Sequence, residues 1–92
     1  MALLKVEVVY ALPGAEDAVT VRLPPGGTVR DAILGSGMLL RHPEIDLAAQ
    51  KLGIFGRPVT AEKAVADGDR VEIYRALLID PKEARRRRAS KR

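Results

Sequence analysis

Val65-Ala66-Asp67-Gly68-Asp69-Arg70-Val71-Glu72-Ile73-Tyr74-Arg75 decides the architecture of this chain. Asp67-Gly68-Asp69 has the chemistry of a tight turn, since glycine tolerates left-handed backbone and aspartate bonds its own main chain. Beyond it, Val71 and Ile73 alternate with Glu72 and Tyr74, which predicts a strand with one buried face. An acidic turn that opens such a strand is how a small sheet is closed. Its natural neighbour lies at the other end of the chain. There Leu4, Val6, Val8 and Tyr10 alternate with Lys5, Glu7 and Val9. Both segments are rich in Val and Ile, as buried parallel strands tend to be.

The residues between them supply the remaining layers. Leu12-Pro13-Gly14-Ala15-Glu16-Asp17 reads as a hairpin loop, and Val19, Val21 and Leu23 predict an antiparallel second strand that stops at Pro24-Pro25. Thr28 is a helix N-cap with Asp31 in the first turn, and Val29, Ala32, Ile33 and Ser36 fall at helical spacing. Gly37 is the expected left-handed C-cap. Met38-Leu39-Leu40 is expected to pack beneath the helix end, and His42-Pro43 to mark a turn. Lys51-Leu52-Gly53-Ile54-Phe55 predicts a third strand. Gly56-Arg57-Pro58-Val59 predicts a tight turn into a short element, and residues 60–65 a single helical turn. Strand, strand, helix, strand, short turns and strand make an α+β arrangement of β-grasp (ubiquitin-like) type, a mixed sheet of four to five strands on one helix. One domain is expected over residues 1–80, with a basic tail, flexible or a short helix, over 81–92.

Composition narrows the function classes. The chain has 92 residues, 47% of them hydrophobic, but one Phe, two Tyr and no Trp, so its core is built from aliphatic side chains. With no cysteine, disulfides, thiolate metal sites and cysteine redox chemistry are excluded. The N-terminus has neither the basic flank of a signal peptide nor a membrane span, so a cytoplasmic location is expected. Residues 1–80 carry nine Lys/Arg against eleven Asp/Glu, a net −2, whereas residues 81–92 carry seven against one, a net +6. A mildly acidic body thus bears a basic tail.

Several blocks together resemble the RnfH family of bacterial proteins. They are Val6-Glu7-Val8-Val9-Tyr10-Ala11-Leu12-Pro13, Ile45-Asp46-Leu47, residues 51–58, residues 67–75 and Leu77-Leu78-Ile79-Asp80-Pro81-Lys82-Glu83-Ala84-Arg85-Arg86. The resemblance spans nearly the whole chain. It implies a ubiquitin-like β-grasp fold and little chemistry, because the family has no agreed activity. Its members are encoded beside a membrane electron-transport complex in some bacteria. In others they lie beside a small ribosome-associated protein and are described as antitoxin-like.

Weighed one by one, the reactive residues do not assemble a catalytic constellation. Asp67 and Asp69 read as turn residues, two carboxylates with no third ligand for a metal. His42 stands without a nucleophile or orienting partner in Arg41-His42-Pro43-Glu44, as a lone loop histidine. A carrier role would need a C-terminal Gly-Gly, whereas the sequence ends Ala89-Ser90-Lys91-Arg92 and its only diglycine is Gly26-Gly27. No catalytic residue, metal, cofactor or small-molecule substrate is therefore expected, and the chain reads as a non-enzymatic module that binds a partner protein. Tyr74 on the open side of the sheet, with Val9, Arg22 and Arg75 around it, is the expected contact, since Tyr and Arg are favoured at interface centres. Arg57, framed by Gly56 and Pro58, is a further candidate. In the tail Asp80, Pro81 and Glu83 encode a helix start. Arg85, Arg86, Arg87, Arg88, Lys91 and Arg92 would meet an anionic partner, RNA, the ribosome or an acidic protein, without membrane insertion.

Overall fold

The computed structural model describes residues 2–12 and 14–74. Two nine-residue strands, β1 (Leu4–Leu12) and β2 (Ala15–Leu23), form an antiparallel hairpin in register from Leu4↔Leu23 to Leu12↔Ala15. The connection is therefore two residues long, shorter than the loop expected over 12–17. Helices α1 (Val29–Ser36) and α2 (Met38–Arg41) follow, then the short strands β3 (Leu52–Ile54), β4 (Arg57–Val59) and β5 (Arg70–Ile73). The five strands lie in the order β2-β1-β5-β3-β4. The first and last strands are central neighbours and run parallel, with Val8 opposite Val71 and Tyr10 opposite Ile73. This is the β-grasp arrangement.

Local chemistry accounts for α1. Thr28 Oγ1 accepts from the Asp31 N–H (3.2 Å), Asp31 Oδ2 accepts from the Thr28 N–H (3.0 Å), and Gly37 closes the helix at φ 75°. The next free N–H groups, on Val29 and Arg30, donate to Lys63 O and Ala61 O at 2.8 Å. Residues 60–65 consequently form a turn clamped to the helix start and not the local helical turn expected. Their carbonyls serve α1, and Thr28 bridges Ala64. Free N–H groups at a helix start require such partners when they are covered.

The helix buries Val29, Ala32 and Ile33 against Val6, Val8, Tyr10, Val71 and Ile73 of the sheet, all nearly inaccessible. Each such side chain contributes roughly 1.5–3 kcal/mol of transfer free energy. Met38 is buried beneath the helix end as expected, Leu39 packs against the core, and Leu40 instead is 88% exposed. The acidic turn ahead of β5 is fastened by both carboxylates. Asp67 Oδ1 accepts from the Lys5 N–H (2.7 Å) and Asp69 Oδ2 from the Ala66 N–H (2.8 Å). No helix among the described residues is long and apolar enough to cross a membrane.

Candidate interaction surface

Helix α1 covers one side of the sheet. The other side is organised by alternate residues of β5 and the residue after it. Arg70 bridges Glu7 (3.2 Å), Glu16 (3.0 Å) and Glu72 (3.4 Å), which joins β2, β1 and β5 through one guanidinium. Hydrogen bonding to Glu16 raises the Arg70 pKa further, against a smaller opposing effect of burial. Glu72 Oε1 accepts two donors at 2.7 Å, the Tyr74 hydroxyl and the Gly56 N–H. Burial alone would push the Glu72 carboxyl up. Those two bonds and Arg70 together outweigh it and hold the group below its usual range. Burial and the same carboxylate push the Tyr74 phenol up to about 12. The Tyr74 ring lies across Gly53, where a Cβ would fall 2.6 Å from the hydroxyl oxygen. Gly53 is the clearance this ring needs.

The residues expected to surround Tyr74 do not form one patch. Val9 is only 3% exposed, covered although it lies on the open side of the sheet. It sits on a central strand between Ala18 and Glu72, on the stretch of β1 crossed by the Arg70 bridges. Arg22 is exposed but pairs with Lys5 at the far end of β2, level with Gly68, whose N–H donates to Lys5 O. Six residues of strand, about 20 Å, separate that level from Tyr74. Arg57 is exposed opposite Ile54, so strand alternation puts it on the helix side of the sheet. Arg75 and the tail cations Arg85, Arg86, Arg87, Arg88, Lys91 and Arg92 lie outside the described residues.

A more prominent feature stands at the tip of the β3–β4 hairpin. Phe55 and Gly56 connect the strands with φ 48° and 80°, the left-handed pair that a tight two-residue hairpin turn demands. Asn-Gly ordinarily fills that pair, because a bulky side chain in left-handed backbone is strained. Here the only phenylalanine occupies it, with 62% of its surface exposed. The turn is held from behind, Phe55 N–H donating to Arg70 O (3.2 Å) and Gly56 N–H to Glu72. The sequence carries a signal for this turn, an X-Gly pair between two short apolar runs, whereas the strand expected over residues 51–55 ends on Phe55.

His42 is likewise not alone. Its Nε2 lies 2.7 Å from Asp17 Oδ2, its ring meets Tyr10 edge-on at 4.7 Å, and Glu44 Oε2 lies 3.7 Å from Nδ1 and 3.1 Å from the Tyr10 hydroxyl. Arg41 bonds the other Asp17 oxygen at 2.7 Å. The cluster fastens β2 to α2. Its carboxylate comes from a residue 25 positions away, which neighbouring sequence could not show.

A family model described as RnfH family Ubiquitin matches residues 4–88. The chain belongs to the RnfH family. Protein RnfH of Halorhodospira halophila (strain DSM 244 / SL1) is 54% identical over 88 residues, which cover 96% of this chain and 91% of that one. Protein RnfH of Burkholderia mallei (strain NCTC 10229) is 56% identical, covering 95% and 79% of the two chains. Among solved structures, a putative molybdopterin converting factor subunit 1 from Pyrococcus furiosus aligns with a TM-score of 0.58 at 26% identity, over 77% of this chain and 95% of that one. A Caldiarchaeum subterraneum ubiquitin aligns with a TM-score of 0.57 at 19% identity, over 78% and 91%. This RnfH-family chain is thus a small ubiquitin-like protein, and the structural likeness is one of fold.

Proposed function

We propose that this RnfH-family chain is a non-enzymatic binding module that engages a partner protein through the Phe55 end of its sheet, with the basic tail assisting. The observation that carries the reading is Phe55 itself. An exposed aromatic ring in left-handed backbone costs folding free energy twice, through strain of about 1–3 kcal/mol and through apolar surface left in water. A rigid, pre-set aromatic is what an interface centre uses. Arg57, exposed two residues on, adds a cation to the same hairpin. The partner this end suits is a protein with an apolar pocket bordered by carboxylates. The open sheet face, with Tyr74 and Arg22, adds rim contacts. Its rigid Arg70 network keeps the hairpin tip aimed.

The second reading, an RNA- or ribosome-associated accessory protein, is favoured by the +6 charge of residues 81–92. Carrier chemistry gains nothing from Gly26-Gly27, which lies in the turn ahead of α1. Affinity capture from a lysate of the source organism, with the native chain, Phe55→Asn, and a chain ending at residue 80, separates these readings. Partner capture abolished by Phe55→Asn and retained by the shortened chain supports the hairpin tip. Binding lost only with the tail, and falling steeply with salt, supports nucleic acid.

A further inference from the structure

Among the described residues the sheet has two outer strands, β2 and β4. β4 is guarded as a free edge should be, by its three-residue length and by Pro58, which has no N–H to offer a neighbour. β2 has neither guard. It runs nine residues without a proline, in unbroken register with β1 from Leu23 to Ala15. Which of its groups face outwards follows from the other side of β1. There the Glu7 N–H donates to Asp69 O (2.9 Å) and Lys5 O accepts from the Gly68 N–H (2.7 Å), so the odd-numbered residues of β1 turn their main chain towards β5 and the turn before it. The even-numbered ones therefore bond their β2 partners Leu23, Val21, Val19, Asp17 and Ala15. That leaves the N–H and C=O groups of Glu16, Ala18, Thr20 and Arg22 pointing away from the sheet, and all four residues are exposed. No hydrogen bond among the described residues reaches those groups.

The sequence along this edge is complementary to itself. When two copies of β2 lie antiparallel about a two-fold axis at Val19, Glu16 faces Arg22 of the other copy and Ala18 faces Thr20. Every outward residue then meets an outward residue, and each such pair exchanges two N–H···O bonds. Shifted by two residues in either direction, the pairing sets Arg22 against Gly14 or Glu16 against Pro24, beyond the strand. Charge points to the same register. Within its own sheet Arg22 stands opposite Lys5, a like-charge pair that is unfavourable by itself. A carboxylate on the other flank of Arg22 offsets that repulsion, and Glu16, steadied at the far end of β2 by Arg70 (3.0 Å), supplies it. We infer that β2 is a self-pairing edge whose occupant is a second copy of this chain, joined β2 to β2 in one continuous sheet of ten strands. The interface is isologous and closes on itself, so the pairing stops at a dimer. It leaves both β3–β4 hairpins free, and the dimer presents a Phe55 tip at each end of its sheet.

The test is sedimentation equilibrium of the full-length chain across the micromolar to millimolar range, alongside Arg22→Glu and Glu16→Lys. Both substitutions fall at exposed positions of the strand. A monomer–dimer equilibrium is expected for the native chain. Each variant sets like charges face to face at both ends of the pairing and should dimerise about tenfold more weakly. Mixed in equal amounts, the two variants complement one another, and dimerisation returns. In the native chain the amides of Glu16, Ala18, Thr20 and Arg22 should exchange with solvent more slowly as concentration rises. A chain that stays monomeric throughout the range overturns the inference. A dimer indifferent to both charge reversals, or variants that fail to pair when mixed, overturns it as well.

Discussion

Tyr74 and Gly53 show how one side chain dictates another residue's identity. The ring lies where a Cβ at position 53 would be, and Arg57 O approaches that position to 3.1 Å. Gly53→Ala must therefore displace the ring or the hairpin, and is expected to lower stability by about 1–3 kcal/mol in a denaturant titration. The tyrosine has its own signature. Its neutral form is favoured by the fold, so its contribution is complete below the unfolded value of 10.0 and is lost as pH rises through about 12. Ultraviolet titration of tyrosinate should place one midpoint near 12, and in Tyr74→Phe that midpoint should be missing. Glu72 has the opposite sense. Its carboxyl is held low, so its contribution is complete above the usual value of 4.5 and fades as pH falls through the lowered one. Part of this is legible in the sequence: alternation puts Tyr74 on the open side two residues from Glu72. The glycine beneath the ring comes from the register of the three-residue β3 against β5, which so short a strand does not encode.

At the scale of elements, α1 was the most legible because its signals are local. Thr28, Asp31, the stripe of Val29, Ala32 and Ile33, and Gly37 each act within a turn of the residue they affect. Thr28→Ala is expected to cost about 1 kcal/mol, read as a shift in the denaturant midpoint at constant slope. The turn over residues 60–65 departs from the helical turn its sequence predicts for the complementary reason. Its composition suits a helix, yet its carbonyls accept from a helix start more than 30 residues earlier. The β3–β4 hairpin adds a prediction at this scale. Replacing the strained residue by the one its turn prefers, Phe55→Asn, should stabilise the protein by part of that strain of about 1–3 kcal/mol. A thermal melt that rises by a few degrees would show it. A fall would mean that the ring is held by packing, contrary to its exposure.

For the whole molecule, the parallel pairing of β1 with β5 brings the first and last of the described strands together at the centre of the sheet. The acidic turn and two apolar alternations foretold that pairing, since burial on one face leaves a strand a single register. Where the sheet would be used was less legible. Residues expected to converge around Tyr74 are dispersed by the register, while Phe55, counted as part of a strand, stands at the tip. The central claim is that this tip is where the protein meets its partner. It is tested most directly by photo-crosslinking in the source organism, with p-benzoylphenylalanine in place of Phe55 and, as the comparison, in place of the exposed Leu34 on α1. The account predicts a discrete protein adduct from position 55 that position 34 does not give, competed away by the native chain and not by Phe55→Asn. Equal adducts from both positions, or competition by Phe55→Asn as strong as by the native chain, would contradict it.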